Sequence, residues 1–258
     1  MCLIAFAHRA HPRYPLVLVA NRDEFYDRPT EVAGWWREPA GILAGRDLQA
    51  GGTWLGVTRR GRWAGVTNYR EGRPPPADRS RGELVLDFLD DNNADPGHYA
   101  AAVASRGERY NGFNLLAGDG DSLAYCTNRG REPRLLDPGV YTLSNHLLDT
   151  PWPKAEQARF RLRGVLRRED FSPGDLFEVL ADRTPVEDEA LLPASGIDRD
   201  LERALSPAFI VGDEYGTRST TVLLMDSRGG ITFVEQNYLR GEPEGPQRPF
   251  YFERDGLD

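Results

Sequence analysis

The apolar residues of this chain fall into short runs closed by turn residues, and that spacing limits its fold more than any other feature. Residues 2–7 and 16–20 are runs of β type, parted by a polar stretch in which Pro12 and Pro15 forbid a helix, and they read as paired first strands. Residues 53–58 and 63–69 form a hairpin pattern, with Arg59, Arg60 and Gly61 at the reversal. Ser80 and Glu83 make a capping box that opens a helical segment over 84–89, and Asp95 with Pro96 starts a second helix through Tyr99 and Val103. Strand patterns return at 113–117, 123–127 and 140–144. Pro153 then begins an amphipathic helix through Phe160, Leu162 and Leu166, and Ser172 with Pro173 caps another at 176–180. The last third reads as strands at 208–211, 220–225, 231–236 and 250–252. Residues 34–52 and 74–80 read as loops, with Gly45, Gly51 and Gly52 as turn glycines. Strands, helices, strands, helices and strands in that order predict layered sheets with helices on their outer faces. The 258 residues carry no repeat or linker, so one domain spanning 1–258 is expected.

Composition removes several classes of function. The balance of 32 basic against 40 acidic side chains, without a basic block, argues against a nucleic-acid clamp. No apolar run approaches the roughly 20 residues that span a bilayer. The apolar start is followed at once by His8, Arg9 and Pro12 and preceded by no basic region, so a cytoplasmic protein is expected. Cys2 and Cys126 have no CxxC partner, and His8, His11, His98 and His146 lack ligand spacing, so no metal is expected. Lys154 is the single lysine, and composition gives it no role.

Cys2 carries the most chemistry. Once the initiator methionine is removed, a thiol and an α-amine sit on one residue, and an amine with a reference pKa near 7.7–8.0 can take the thiol proton. A buried structural thiol is the plainer reading of the same residue. Asn21-Arg22-Asp23-Glu24 closes the second strand and, in an antiparallel pair, comes near Cys2. Strand alternation lets only about half of these four reach one cleft. An aspartate there can hold an ammonium, and an arginine can stabilise a thiolate. Asn68 and Asn145 each end a strand pattern, where a rigid carboxamide can donate to an oxyanion. Arg218 precedes the strand at 220–225 and can hold a thiolate or a substrate carboxylate. Trp35, Trp36, Trp54 and Trp63 are candidates for a pocket wall or for core.

Met1-Cys2-Leu3, Asn21-Arg22-Asp23-Glu24, Gly52-Thr53-Trp54-Leu55-Gly56 and Thr67-Asn68-Tyr69-Arg70 together resemble the NRDE family, across essentially the whole chain. That family includes the transport and Golgi organisation proteins. The resemblance implies an N-terminal nucleophile (Ntn) hydrolase fold of class α+β, a four-layer αββα sandwich of antiparallel sheets. A more distant similarity to choloylglycine hydrolases and penicillin V acylases implies Cys2 as nucleophile and Asp23 as the group orienting its amine. It further implies Asn68 as an oxyanion donor, Asn145 as a second polar group and Arg218 as a late arginine. Those enzymes carry an arginine three residues before the aspartate, where this chain has Ala20. Asn21, Arg22, Trp54 and Tyr69, in the matched segments, are expected to bind substrate. The implied activity is hydrolysis of a carbon–nitrogen amide bond in a small or acylated substrate, without a cofactor and with homo-oligomers allowed. The alternative is a non-catalytic carrier of haem, lipid or acyl-CoA, with Cys2, His8 or His146 as an axial ligand to haem.

Overall fold

Two antiparallel sheets, built around one central hairpin, organise the chain. In a computed structural model, which describes residues 2–72, 75–130 and 132–256, that hairpin is β1 (Cys2–His8) with β2 (Leu16–Phe25). β10 (Gly139–Leu143) pairs with β1 and β11 (Tyr215–Met225) with β2. β12 (Gly230–Leu239) extends this seven-stranded sheet to β13 (Glu242–Pro243) and β14 (Arg248–Glu253). The second sheet follows sequence order: β3 (Thr30–Trp35), β4 (Ile42–Asp47), β5 (Leu55–Thr58), β6 (Trp63–Asn68), β7 (Phe113–Gly118), β8 (Leu123–Thr127) and β9 (Arg134–Leu135). α1 (Arg81–Asp90) and α2 (Pro96–Ser105) cover the second sheet. α3 (Pro153–Leu166) and α4 (Pro173–Phe177) cover the first, with α5 (Arg199–Ala204) a short later helix. The layers are α, β, β and α, as the order of elements predicts.

A period of two along β1 and β2 explains why both are buried on both faces. Ile4, Phe6, Leu18 and Ala20 join Leu43, Leu55, Trp63 and Phe233 in the core between the sheets. Leu3, Ala5, Val17 and Val19 instead meet Ala158, Leu162 and Leu176 under the helices. Each fully buried Leu, Ile or Phe contributes about 1.5–3 kcal/mol, so this hairpin is the most strongly held part of the fold. Continuing the alternation sends Cys2, Arg22 and Glu24 toward the other sheet, and Asn21 and Asp23 toward the helices.

Several elements differ from the sequence reading. Residues 34–52 are not one loop, because the end of β3 and all of β4 lie there. Gly45 is a strand residue and not a turn: a Cβ would meet the Glu31 carbonyl oxygen at 3.1 Å, where the β3–β4 register shifts. Residues 208–211 do not form a strand. Their backbone groups go elsewhere, the Ala208 carbonyl accepting from Asn21 Nδ2 at 2.8 Å and the Ile210 N–H donating to Thr217 Oγ1 at 2.9 Å. α5 carries no strong sequence signal and was not expected. The Ser80 capping box forms as read, with Gly82 N–H donating to Ser80 Oγ and Ser80 N–H to Glu83 Oε1. Pro74, in the loop assigned to 74–80, lies outside the described residues.

Candidate active site

The two sheets part where β1 begins and β2 ends. Cys2 pairs with Arg22 in the ladder, and a cleft of about 390 Å³ opens beside them. Cys2, Arg22, Asp23, Trp54, Asn68 and Arg218 all line it. Six residues scattered over more than two hundred positions are thus gathered by the pairing of three strands and one hairpin.

Cys2 is only 7% exposed, and burial pushes its thiol up to about 11. The carboxylates of Asp23 and Glu24 push the same way and Arg22 opposes them. The resting sulfur is therefore protonated at neutral pH, and any attack by it needs a base. Ser144 Oγ lies 3.4 Å from the Cys2 carbonyl oxygen and fixes the backbone there.

Asp23 is buried at the same strand end. Thr217 Oγ1 donates to its Oδ1 at 2.8 Å and Tyr215 Oη to its carbonyl at 3.0 Å. Burial raises its carboxyl pKa, while the Lys154 ammonium, the Thr217 hydroxyl and the Arg70 guanidinium pull it down. Asn68 closes β6 with its carboxamide at the cleft, and among the described residues that carboxamide makes no hydrogen bond to protein. Its backbone carbonyl accepts from Asn145 Nδ2 at 3.1 Å. A β-bulge between Thr217 and Ser219 turns Arg218 out of the ladder. Its Nη1 donates to the carbonyls of Phe25 and Arg28, at 2.9 and 3.1 Å, and so braces the rim.

Three of the expected site residues lie off the cleft wall. Asn21 faces the helices, its Nδ2 donating to the carbonyls of Leu180 and Ala208 and its Oδ1 accepting from Thr220. Strand alternation is the reason, since Asn21 and Arg22 cannot share a face. Asn145 is buried behind Asn68, and its own carbonyl accepts from the Arg70 N–H at 2.6 Å, so it supports the donor from behind. Tyr69 turns its hydroxyl to His146 Nε2 at 2.7 Å. His146 Nδ1 is engaged in turn by Thr150, and His8 lies at the far end of β1, about 20 Å of extended chain from Cys2. Neither histidine lines the cleft, so neither presents an axial nitrogen there.

Other site residues escaped the sequence reading. Arg81, at the first position of α1, lines the cleft close enough for its charge to act on Cys2. Among the described residues no carboxylate lies within ion-pair distance of it, and its one hydrogen bond goes to the Gly112 carbonyl at 3.2 Å. Its helix start was legible from the capping box, but not the direction in which that start points. Gly52 fixes the direction, because a Cβ there would fall 2.6 Å from the Gly82 carbonyl carbon; only bare backbone lets the α1 terminus approach. Glu235 is a buried acid on β12 that accepts from the Ala33 N–H at 2.8 Å and ties the two sheets together. Lys154 is buried too, and this one had a signal: with Ala158 and Leu162 it falls on a stripe spaced four apart, the apolar face of α3.

No helix among the described residues is long and apolar enough to cross a membrane, and none of their side chains gather into a metal-binding group. Comparison with solved structures places the fold. A Caenorhabditis elegans N-acylethanolamine-hydrolyzing acid amidase ortholog superposes with a TM-score of 0.50 at 14% identity, over 86% of this chain and 92% of that one. A mutant of the conjugated bile acid hydrolase from Clostridium perfringens does so with a TM-score of 0.50 at 7% identity, over 98% of both chains. Both are Ntn-hydrolase folds. Among proteins compared by sequence, the Mus musculus Transport and Golgi organization 2 homolog is 38% identical over 93% of this chain and 94% of its own length. The Homo sapiens homolog is 37% identical over 93% and 94%, and the Drosophila melanogaster protein 25% identical over 99% and 98%. The family model for Transport and Golgi organisation 2 matches residues 1–240. The chain therefore belongs to the Transport and Golgi organisation 2 family, built on an Ntn-hydrolase fold.

Proposed function

We propose that the protein is an N-terminal cysteine amidohydrolase, with Cys2 as nucleophile after removal of Met1. The observation that carries this reading is the meeting in one cleft of Cys2, Asp23 and the Asn68 carboxamide, which makes no hydrogen bond among the described residues. Cys2 Sγ attacks the amide carbon while its proton passes to the neutral α-amine. Asp23, anchored by Thr217, orients that amine. Asn68 donates to the oxygen that becomes negative as the carbon turns tetrahedral. The ammonium then returns its proton to the departing nitrogen, the C–N bond breaks and a thioester remains. Water, deprotonated by the same amine, attacks the thioester, releasing the acid and restoring the thiol.

The wall of the cleft suits a polar amide better than an apolar cargo. Among its lining residues, arginines and acids outnumber the apolar Val32, Trp54 and Val66. The related folds named for acting on N-acylethanolamines and conjugated bile acids make N-acyl amides the class to try first. Hydrolysis of an N-acylethanolamine and a glycine-conjugated bile acid is measured by release of the free amine, with the chain confirmed by mass to begin at Cys2. Turnover by that chain and its loss in Cys2→Ala is the expected outcome. Equal release by Cys2→Ala sinks the reading, as does saturable haem binding by a chain that releases no amine.

A further inference from the structure

Arg22 is the most deeply buried cation on the cleft wall, at 7% exposed. Among the described residues its side chain makes one hydrogen bond, from Nη1 to Thr30 Oγ1 at a long 3.4 Å. The one carboxylate within ion-pair distance, Glu24, stands at 3.9 Å and is committed elsewhere, accepting from the Phe25 N–H at 2.9 Å and lying 3.7 Å from Arg28. Arg28 is held by Asp47 at 2.7 Å, and Arg46 lies over the Trp36 ring.

The ladder places Ser219 directly beside Arg22. Cys2, Arg22 and Ser219 are paired on β1, β2 and β11, about 4.8 Å from one strand to the next, and alternation turns all three toward the other sheet. Ser219 is 4% exposed and lines the cleft, and among the described residues its hydroxyl makes no hydrogen bond. The acids of the wall do not fill this place. Glu235, deeper on β12, accepts from the Ala33 N–H, Asn237 Nδ2 and Thr221 Oγ1. Glu31 and Glu244 lie at the exposed rim.

We infer that Arg22 and Ser219 form a subsite for a carboxylate that the amide substrate carries close to the cleaved bond. The inference rests on the N-terminal nucleophile reading above. A planar carboxylate accepts two N–H groups of the guanidinium fork along one edge and the Ser219 hydroxyl at a remaining lone pair. Pairing with Cys2 in the ladder keeps that carboxylate within about one or two carbons of the amide. It sits on the amine half, as in an N-acyl amino acid, or on the acyl half, as in the monoamide of a short dicarboxylic acid.

The test is calorimetric binding to the full chain lacking Met1 and carrying Cys2→Ala. N-octanoylglycine is compared with N-octanoylethanolamine, and N-octyl malonamic acid with the analogue in which hydroxymethyl replaces carboxyl. The thiol is absent from this chain, so an influence of Arg22 on the sulfur does not enter. In at least one pair the acid binds about 100-fold more tightly than its neutral counterpart, and that pair identifies the half that carries the carboxylate. Arg22→Gln removes this preference, and Ser219→Ala lowers it about tenfold. Equal affinity within both pairs overturns the inference, as does a preference that survives in Arg22→Gln. Should Arg22→Gln not fold, Ser219→Ala decides, and an unchanged preference in it overturns the inference. Preference without turnover by the Cys2 chain counts against the hydrolase reading alone, and turnover without preference against the carboxylate subsite alone.

Discussion

A carboxamide that faces a cleft keeps its donor available to whatever enters. Asn68 is half-buried on the cleft wall and makes no side-chain hydrogen bond among the described residues, and an oxyanion is what its carboxamide would complete. Asn68→Ala is expected to lower kcat about 100-fold or more with a smaller change in KM, measured by steady-state amine release. Equal kcat in this variant would place the oxyanion elsewhere. Cys2, Asp23 and Asn68 were legible because each ends a strand, and strand ends follow from apolar runs and turn residues. Arg81 and Glu235 were not, since what gives them a role is a partner many residues away: Gly82 against Gly52 for one, Ala33 for the other. Asn21 misled because the four-residue cluster straddles both faces of β2. Arg22 and Asp23 still share the cleft wall because it opens at the very end of the strand.

Strands whose cores are unbroken apolar runs, such as β1, β2 and β11, were legible over those runs, though β2 and β11 extend beyond them to Phe25 and back to Tyr215, whereas β3 and β4 were not legible. Edge strand β3 mixes exposed Glu31 and Val32 with Gly34, and β4 carries Gly45 inside it, so neither shows the alternation on which a strand reading rests. The loop before β5 and the start of α1 act as one unit, in contact through Gly52 and Gly82 backbone. Gly52→Ala must push that unit apart. A loss of about 1–3 kcal/mol in urea-unfolding stability is expected, with α1 moving Arg81 away from Cys2. Unchanged stability would mean that the α1 terminus is not seated on residue 52.

At the scale of the whole molecule, the layer order was legible, because strands and helices alternate in blocks and each block needs an apolar partner. The charge network that crosses the layers was not. Arg70 follows β6 of the second sheet and Glu202 belongs to α5, and no local pattern links the two. Ser195 adds its hydroxyl and its N–H to Glu202. Glu202→Ala leaves Arg70 buried without its carboxylate, and a loss of about 3–5 kcal/mol is expected in chemical unfolding. A loss under about 1 kcal/mol would show that water reaches the site and that the network does not hold the layers together.

The most direct measurement is the mass of the protein itself, quenched in acid during turnover of an N-acyl amide. The account predicts a chain beginning at Cys2 and carrying one acyl group, located by fragmentation on the Cys2 sulfur and absent from Cys2→Ala. A chain that retains Met1 while cleaving the amide, or an acyl group found on any other residue, contradicts it.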